Sequence, residues 1–332
     1  MSSQTNRLGF IAGLVVLVGW LAFSAVSVVA DGKKPQLVQS ISQALQGDDQ
    51  KVSLPPQWSD DMVLQRDVPI PISGTSEPDK EITILFGDQN KVTTADHQGN
   101  WHATLDPMPP SAEPRDLRVI PGCMKCSAEI RNLLVGDVWL CGGQSTAASA
   151  VPAVDSATIR VIALTVGRDN SAKSERSWDE CKGAVASSLP PLVRAFAEAL
   201  QADQSVPVGV ILCPPATNRD AILPAVALPD IVSFPIRGAL WPVGANALQD
   251  QAGTFGVAAP IQRWRKTSGQ TDLAFLLFTE AGNIAPDQAA SWSREISLLP
   301  HTQLKLLGDK DPASAGNSLA QDALKLTSRT SP

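Results

Sequence analysis

Histidine is scarce in this chain: among 332 residues it stands only at His97, His102 and His301, so few side chains are available as an imidazole base or metal ligand. Cysteine is nearly as sparse. Cys123, Cys126, Cys141, Cys181 and Cys213 are odd in number and form no recognisable disulfide framework, leaving at least one thiol unpaired within the chain. The pair in Cys123-Met124-Lys125-Cys126 lacks a second ligand pair and follows Pro121-Gly122, which favours a local disulfide or two plain thiols over a metal or redox centre. Asp309 and Asp311 flank Lys310 with no histidine or further convergent carboxylate nearby in sequence, so no metal site is expected. Nothing calls for a cofactor. The chain also lacks a basic run interleaved with aromatics, and 27 Lys+Arg against 33 Asp+Glu give a net charge of −6. The electrostatic footprint of nucleic-acid binding is therefore missing, and no internal repeat is present.

What is there points to a globular protein. A hydrophobic content of 43% over this length suffices for two modest domains with cores of their own and argues against disorder. Residues 1–30 carry Arg7 and then the apolar run Leu8–Ala30. That run reads as an export signal, and because it matches the ~20 apolar residues that span a bilayer, an uncleaved membrane anchor is an equal alternative. The protein is thus expected to be exported: periplasmic, secreted, or held at the membrane by residues 8–30. Residues 31–53 are polar, with Leu37, Ile41 and Leu45 offering at most one short amphipathic helix, and read as a linker.

Residues 54–130 change texture. Short β-type runs (Val68–Ile72, Glu81–Phe86, Lys91–Thr94, Trp101–Leu105 and Leu117–Ile120) are separated by the turn signals Ser73-Gly74, Gly87-Asp88, Gly99-Asn100 and Pro107 to Pro110. The expected structure is a small antiparallel β-sandwich domain. Over residues 131–328, apolar segments such as Leu133–Leu140, Val206–Leu212, Ile236–Trp241 and Leu273–Phe278 alternate with helical ones such as Leu192–Gln201 and Leu319–Leu326. That alternation predicts an α/β domain with a mostly parallel sheet covered on both faces, and a ligand site beyond the carboxyl ends of its strands.

The segment Val135-Gly136-Asp137-Val138-Trp139-Leu140-Cys141-Gly142-Gly143-Gln144-Ser145 runs a buried strand into Gly-Gly and a serine. A serine so presented has its own N–H available to an oxyanion. The segment resembles the nucleophile block, ending Gly-Gln-Ser-Asn, of the sialate O-acetylesterase family of SGNH hydrolases. Further similarity lies in Trp58-Ser59-Asp60-Asp61-Met62-Val63-Leu64-Gln65-Arg66-Asp67-Val68-Pro69-Ile70, Ala95-Asp96-His97-Gln98-Gly99-Asn100-Trp101, Val206-Pro207-Val208-Gly209-Val210-Ile211 and Pro235-Ile236-Arg237-Gly238-Ala239-Leu240-Trp241. The resemblance implies an SGNH-hydrolase-like three-layer α/β/α domain preceded by the β-sandwich. It implies an acetylated carbohydrate or other small acetyl ester as ligand, with Ser145 as nucleophile and Asp311 in the acid–base pair. Gly143, Gln144, Gly244 and Asn246 fall at substrate and oxyanion positions.

The departures from that pattern are specific. The family's Asn-Met after the serine is Thr146-Ala147, and its Gly-Gly turn corresponds to Cys213-Pro214-Pro215-Ala216, where a proline offers no N–H. Its Asp-x-x-His loop becomes Asp311-Pro312-Ala313-Ser314, so the base is replaced by Ser314. His97 and His102 fall in the β-hairpin. His301 precedes the segment Leu304–Leu307, which separates it from Asp311 by roughly 15–20 Å. Removing the histidine of a serine triad costs about a million-fold in turnover, and one oxyanion donor about 100–1000-fold. The expectation is an acetylesterase fold with impaired catalysis, or else a non-catalytic glycan-binding or structural envelope protein. Trp241, Trp264 and Trp292 are expected in the core rather than in a sugar-stacking platform, and Gln262–Lys266 in a solvated loop.

Overall fold

The computed structural model describes residues 51–122, 124–142, 155–166, 172–173, 177–213, 234–243, 256–280, 285–308 and 311–328. The apolar run 8–30 and residues 31–50 of the linker fall outside them, whereas its last residues join the fold: Val52 is buried and donates its N–H to the Cys126 carbonyl at 3.0 Å, and Ser53 pairs with Thr75. Among the described residues no helix is long and apolar enough to cross a membrane.

The first part is built from β1 (Val63–Gln65), β2 (Ile70–Thr75), β3 (Glu81–Phe86), β4 (Gln89–Thr94), β5 (Asn100–Leu105) and β6 (Ser111–Ile120). In β3, Ile82, Ile84 and Phe86 are buried while the residues between them are more exposed, the two-residue period of a half-buried strand. Phe86 pairs with Gln89 across the two-residue turn Gly87-Asp88, whose Gly87 sits at φ +56°; such left-handed positions favour glycine. β3 also pairs antiparallel with β6, while β2 and β5 form a separate antiparallel pair. Ser73-Gly74 is not a turn. It lies within β2, and a Cβ on Gly74 would meet the Ser53 carbonyl oxygen at 2.1 Å and the Trp101 ring at 2.7 Å. The glycine permits close approach within the strand.

Strand β7 (Ala128–Gly142) joins the two parts of the fold. Its first half pairs with β6 and alternates in exposure, and from Leu133 every residue is buried. The change of pattern marks its passage from a sheet with one wet face into one covered on both sides. Residues 130 and 131, where the sequence changes texture, lie inside this strand, and Lys51–Pro332 forms one compact unit.

The remaining strands are β8 (Ser156–Ala163), β9 (Thr165–Val166), β10 (Ala172–Lys173), β11 (Asp179–Cys181), β12 (Val208–Cys213), β13 (Gly238–Pro242), β14 (Ala274–Glu280) and β15 (Thr302–Leu307). The large sheet has the order β11-β8-β12-β7-β13-β14-β15. All its neighbours there run parallel except β11, which is antiparallel to β8. Helices α1 (Gly183–Ser188) and α2 (Pro191–Gln204) and the C-terminal helix α5 (Pro312–Ser328) supply the core of one face. Helices α3 (Ala258–Ser268) and α4 (Pro286–Ser297) cover the other. The result is a mostly parallel α/β sheet between two helical layers.

Helix α2 begins with Pro191 at its first position and ends at Ser205 in the left-handed region, start and stop signals with known mechanisms. Val193, Phe196, Ala197 and Leu200 form its buried stripe. Against it packs α5, close enough that a Cβ on Gly316 would stand 2.6 Å from Ala195 Cβ. The segment Gln262–Lys266 is helical rather than a loop, lying inside α3 with Trp264 and Arg265 buried. Charge misled the sequence reading: the Arg265 guanidinium folds inward and donates to the carbonyls of Leu273 (2.8 Å) and Pro300 (2.7 Å) and to Thr302 Oγ1 (3.1 Å). Trp241, Trp264 and Trp292 are core residues, each 5% exposed or less.

Candidate active site

The chain runs from β7 to β8 on one side of the sheet, and from β13 to β14 and β15 on the other. Open α/β sheets of this kind bind ligands in a crevice where the winding direction changes, a point that lies here at the carboxyl ends of β7 and its neighbours. The described floor of that crevice consists of Cys213 at the end of β12, Gly142 at the end of β7, and Trp241, Pro242 and Val243 on β13 and just beyond. Cys213 pairs with Gly142 in the sheet register. Gly142 has no room for a side chain, because its Cβ would meet Pro242 Cδ at 2.5 Å and the Trp241 ring at 3.1 Å. The floor is thus small and apolar.

Gly143, Gln144 and Ser145 follow β7 directly, and Gly244 and Asn246 follow β13. All five lie outside the described residues. Asp311 lies within them, and caps α5: its Oδ2 accepts the N–H of Ser314 at 2.9 Å, and its carbonyl accepts that of Ala315 at 3.0 Å. The carboxylate thereby satisfies backbone donors that the first turn of a helix leaves open.

All three histidines are described, and none is near the carboxyl edge. His301 stands immediately before β15, at the amino edge, where its carbonyl accepts the N–H of Phe275 at 2.9 Å. Its ring is 3.9 Å from the exposed Asp272. His97 is exposed in the turn before β5 and makes a 3.0 Å contact with Asp79, and His102 is exposed on β5. Their region attaches to the first half of β7, the end of that strand away from Ser145.

The buried thiols near the carboxyl edge are poorly suited as nucleophiles. Cys141 and Cys213 are fully buried, and burial pushes both well above the ordinary thiol range, which suppresses the reactive thiolate. Cys181, also buried, is pushed up to about 11, mainly by burial. Among the described residues no group of histidine, cysteine and carboxylate side chains could hold a metal ion.

Asp137, in the middle of the resembling block, works at the opposite edge. Its carboxylate takes two bonds from Arg66, Nε at 2.8 Å and the terminal nitrogen at 3.0 Å. Gln65 Oε1 accepts the N–H of Val138 at 2.9 Å, and Arg66 also reaches Gln204 at 2.8 Å. This pair holds the Arg66 guanidinium above its usual range, the Asp137 hydrogen bond being the main cause. It fastens β1, β7 and the end of α2 together. The sequence reading passed over it, since nothing in either segment reveals that residues 71 positions apart meet.

Comparison with known proteins concerns the fold. A carbohydrate acetylesterase from Xanthomonas citri superposes with a TM-score of 0.71 at 23% identity, covering 85% of this chain and 76% of that one. The mostly parallel α/β architecture is accordingly one that a carbohydrate acetylesterase also adopts. A protein from Arabidopsis thaliana matches with a TM-score of 0.37 at 13% identity, over 57% of this chain and 98% of its own. A structure described as a carbohydrate esterase with divergent catalytic and non-catalytic binding functions matches with a TM-score of 0.32 at 8% identity, over 79% and 91%. Scores this low add nothing to the fold. No protein-family profile and no curated protein sequence matches the chain.

Proposed function

We propose that this chain is a divergent, SGNH-type relative of the sialate O-acetylesterases, whose crevice binds an acetylated carbohydrate or other small acetyl ester and turns it over poorly if at all. The observation that carries this reading is the distribution of histidine: three in the chain, none at the carboxyl edge of the sheet where Ser145 and Asp311 belong. The shared fold with a carbohydrate acetylesterase supports the ligand class, and the four ordered sequence resemblances support the family. Without an imidazole neighbour the Ser145 hydroxyl is a weak nucleophile. Ser145 would then contribute a hydrogen bond to the bound ester, with Gly143, Gln144, Gly244 and Asn246 around it. Asp311, already occupied in capping α5, keeps a structural use that does not depend on catalysis. Residues 8–30 would export the chain or anchor it at a membrane.

The test is hydrolysis of a generic acetyl ester by the full-length chain beside Ser145→Ala and Ser314→His. An inert parent is expected. Activity gained in Ser314→His would mean that the rest of the site is assembled around the missing base. Activity in the parent that disappears in Ser145→Ala would overturn the non-catalytic reading in favour of a working esterase with an unconventional base.

A further inference from the structure

The two ends of the large sheet are finished differently. β11 closes one end with three residues, two of them acidic, and a bulge between Glu180 and Cys181. Short, charged and bulged strands are a common means of keeping an open edge from pairing with another chain. β15 closes the other end with six residues that pair with β14 in unbroken register. It contains no proline and no bulge, and its one charge, Lys305, is drawn to Asp322 of α5 at 2.7 Å. Three large apolar side chains are exposed among the described residues. Leu306 on β15 is one of them, at 37%, and Leu298, just past α4 and four residues before β15, is another, at 82%.

One hydrogen bond tells which backbone groups of β15 are in use. The N–H of Phe275 is bonded to the His301 carbonyl at 2.9 Å, and Phe275 pairs with Thr302. In a parallel ladder that bond fixes the alternation: Gln303, Lys305 and Leu307 turn both backbone groups toward β14, while Thr302, Leu304 and Leu306 turn theirs away from it. Among the described residues β14 is the sole strand paired with β15, and none of the three outward residues has a backbone partner on the outer side. The outer row is thus an unguarded template for another strand. Leu304 packs in the layer of α3 and α4 and Lys305 faces α5, so by alternation Leu306 lies on the first face and Gln303 on the second.

We infer that this edge pairs with the same edge of a second copy of the chain, antiparallel about a two-fold axis at Leu304, so that the sheets of two molecules become one. In that register Leu304 lies opposite its own counterpart and Thr302 opposite Leu306, and each exchanges two hydrogen bonds with the residue facing it. On the other face Gln303 falls opposite Lys305, so an amide meets the ammonium and no two like charges are opposed. The strand is complementary to itself, as a two-fold interface requires. That self-complementarity favours a second copy over an unrelated chain. The inference does not depend on the acetyl-ester reading of the crevice.

The test is sedimentation equilibrium of the full-length chain, in a detergent that keeps the apolar residues 8–30 dissolved, beside Leu306→Lys. The parent is expected to dimerise. Leu306→Lys puts an edge charge at a position already exposed, so Tm should hold while the dimer dissociation constant rises about tenfold or more. Leu304→Cys reads the register. Across the axis the two Cα atoms of a hydrogen-bonded antiparallel pair stand about 5.5 Å apart, within reach of a disulfide. Mild oxidation should therefore give a covalent dimer on non-reducing electrophoresis from Leu304→Cys, and far less from the parent or from Leu306→Cys, which faces Thr302. A parent that stays monomeric at about 100 µM would overturn the inference. So would a dimer that Leu306→Lys leaves intact, which would be held elsewhere, residues 8–30 included. A dimer in which Leu304→Cys cross-links no better than Leu306→Cys would overturn the two-fold pairing, and that comparison decides alone if Leu306→Lys lowers Tm.

Discussion

The carboxylate of Asp311 and the backbone N–H of Ser314 are joined by a 2.9 Å hydrogen bond, which makes the aspartate the cap of the C-terminal helix. A capping aspartate replaced by alanine destabilises a protein by about 0.5–2 kcal/mol, whereas asparagine caps almost as well. Asp311→Ala is therefore expected to lower the urea midpoint and Asp311→Asn to leave it nearly unchanged. Equal losses in both variants would mean that the charge, not the cap, is what α5 requires.

Gly142 and Pro242 are in contact at the floor of the crevice, with no space for a methyl group between them. Gly142→Ala forces β7 and β13 apart just before the segment that carries Ser145. Overpacking of this kind costs about 1–3 kcal/mol, to be read from chemical denaturation. Pro242→Gly in the same chain should recover part of the loss, since it removes the nearest clashing atom.

The Arg66–Asp137 pair and the Lys91–Asp106 pair have similar lengths, 2.8 and 2.6 Å, yet Asp137 is 6% and Asp106 66% exposed. Burial decides their worth. Deleting one partner of a buried pair leaves an uncompensated charge and costs about 3–5 kcal/mol, while an exposed pair contributes about 0–1 kcal/mol. Asp137→Ala should be severely destabilising and Asp106→Ala close to neutral in the same unfolding assay.

Glu198 supplies a pH dependence. Burial raises its carboxyl above the ordinary value of 4.5, only partly offset by Arg194, whose Nε is 3.7 Å away. With the folded value raised, the native state holds its proton more tightly than the unfolded chain. The contribution is then fully favourable below 4.5 and is lost as pH rises through the raised value. Glu198→Gln should raise Tm at pH 7 and have little effect at pH 4; a variant less stable at pH 7 would mean that the Arg194 contact outweighs the burial.

Much of this architecture was legible in the sequence because periodicity reports burial. The run Val206–Leu212 predicts a strand buried on both faces, and Val208–Cys213 is one; Glu81–Phe86 alternates and matches its strand residue for residue. Charged residues hid the rest. Arg265 reads as a surface side chain, but it folds into the interior, as does Arg160. Arg265 is held by backbone carbonyls, and Arg160 by Asp61 at 2.8 Å and the Ala157 carbonyl at 2.7 Å. Composition does not encode partners that lie 35 or 99 positions away. Of the site, the missing imidazole was legible from three residue positions, while the capping of α5 by Asp311 is a local contact that the resemblance alone does not supply.

Strand β7 has one further consequence. Since a single uninterrupted strand of 15 residues serves both the β-rich part and the parallel sheet, no hinge separates them. Melting either part removes one side of the ladder that the other needs. Residues 51–332 should therefore lose structure in one cooperative transition, seen alike by tryptophan fluorescence and far-UV circular dichroism, without an intermediate in which one part survives alone.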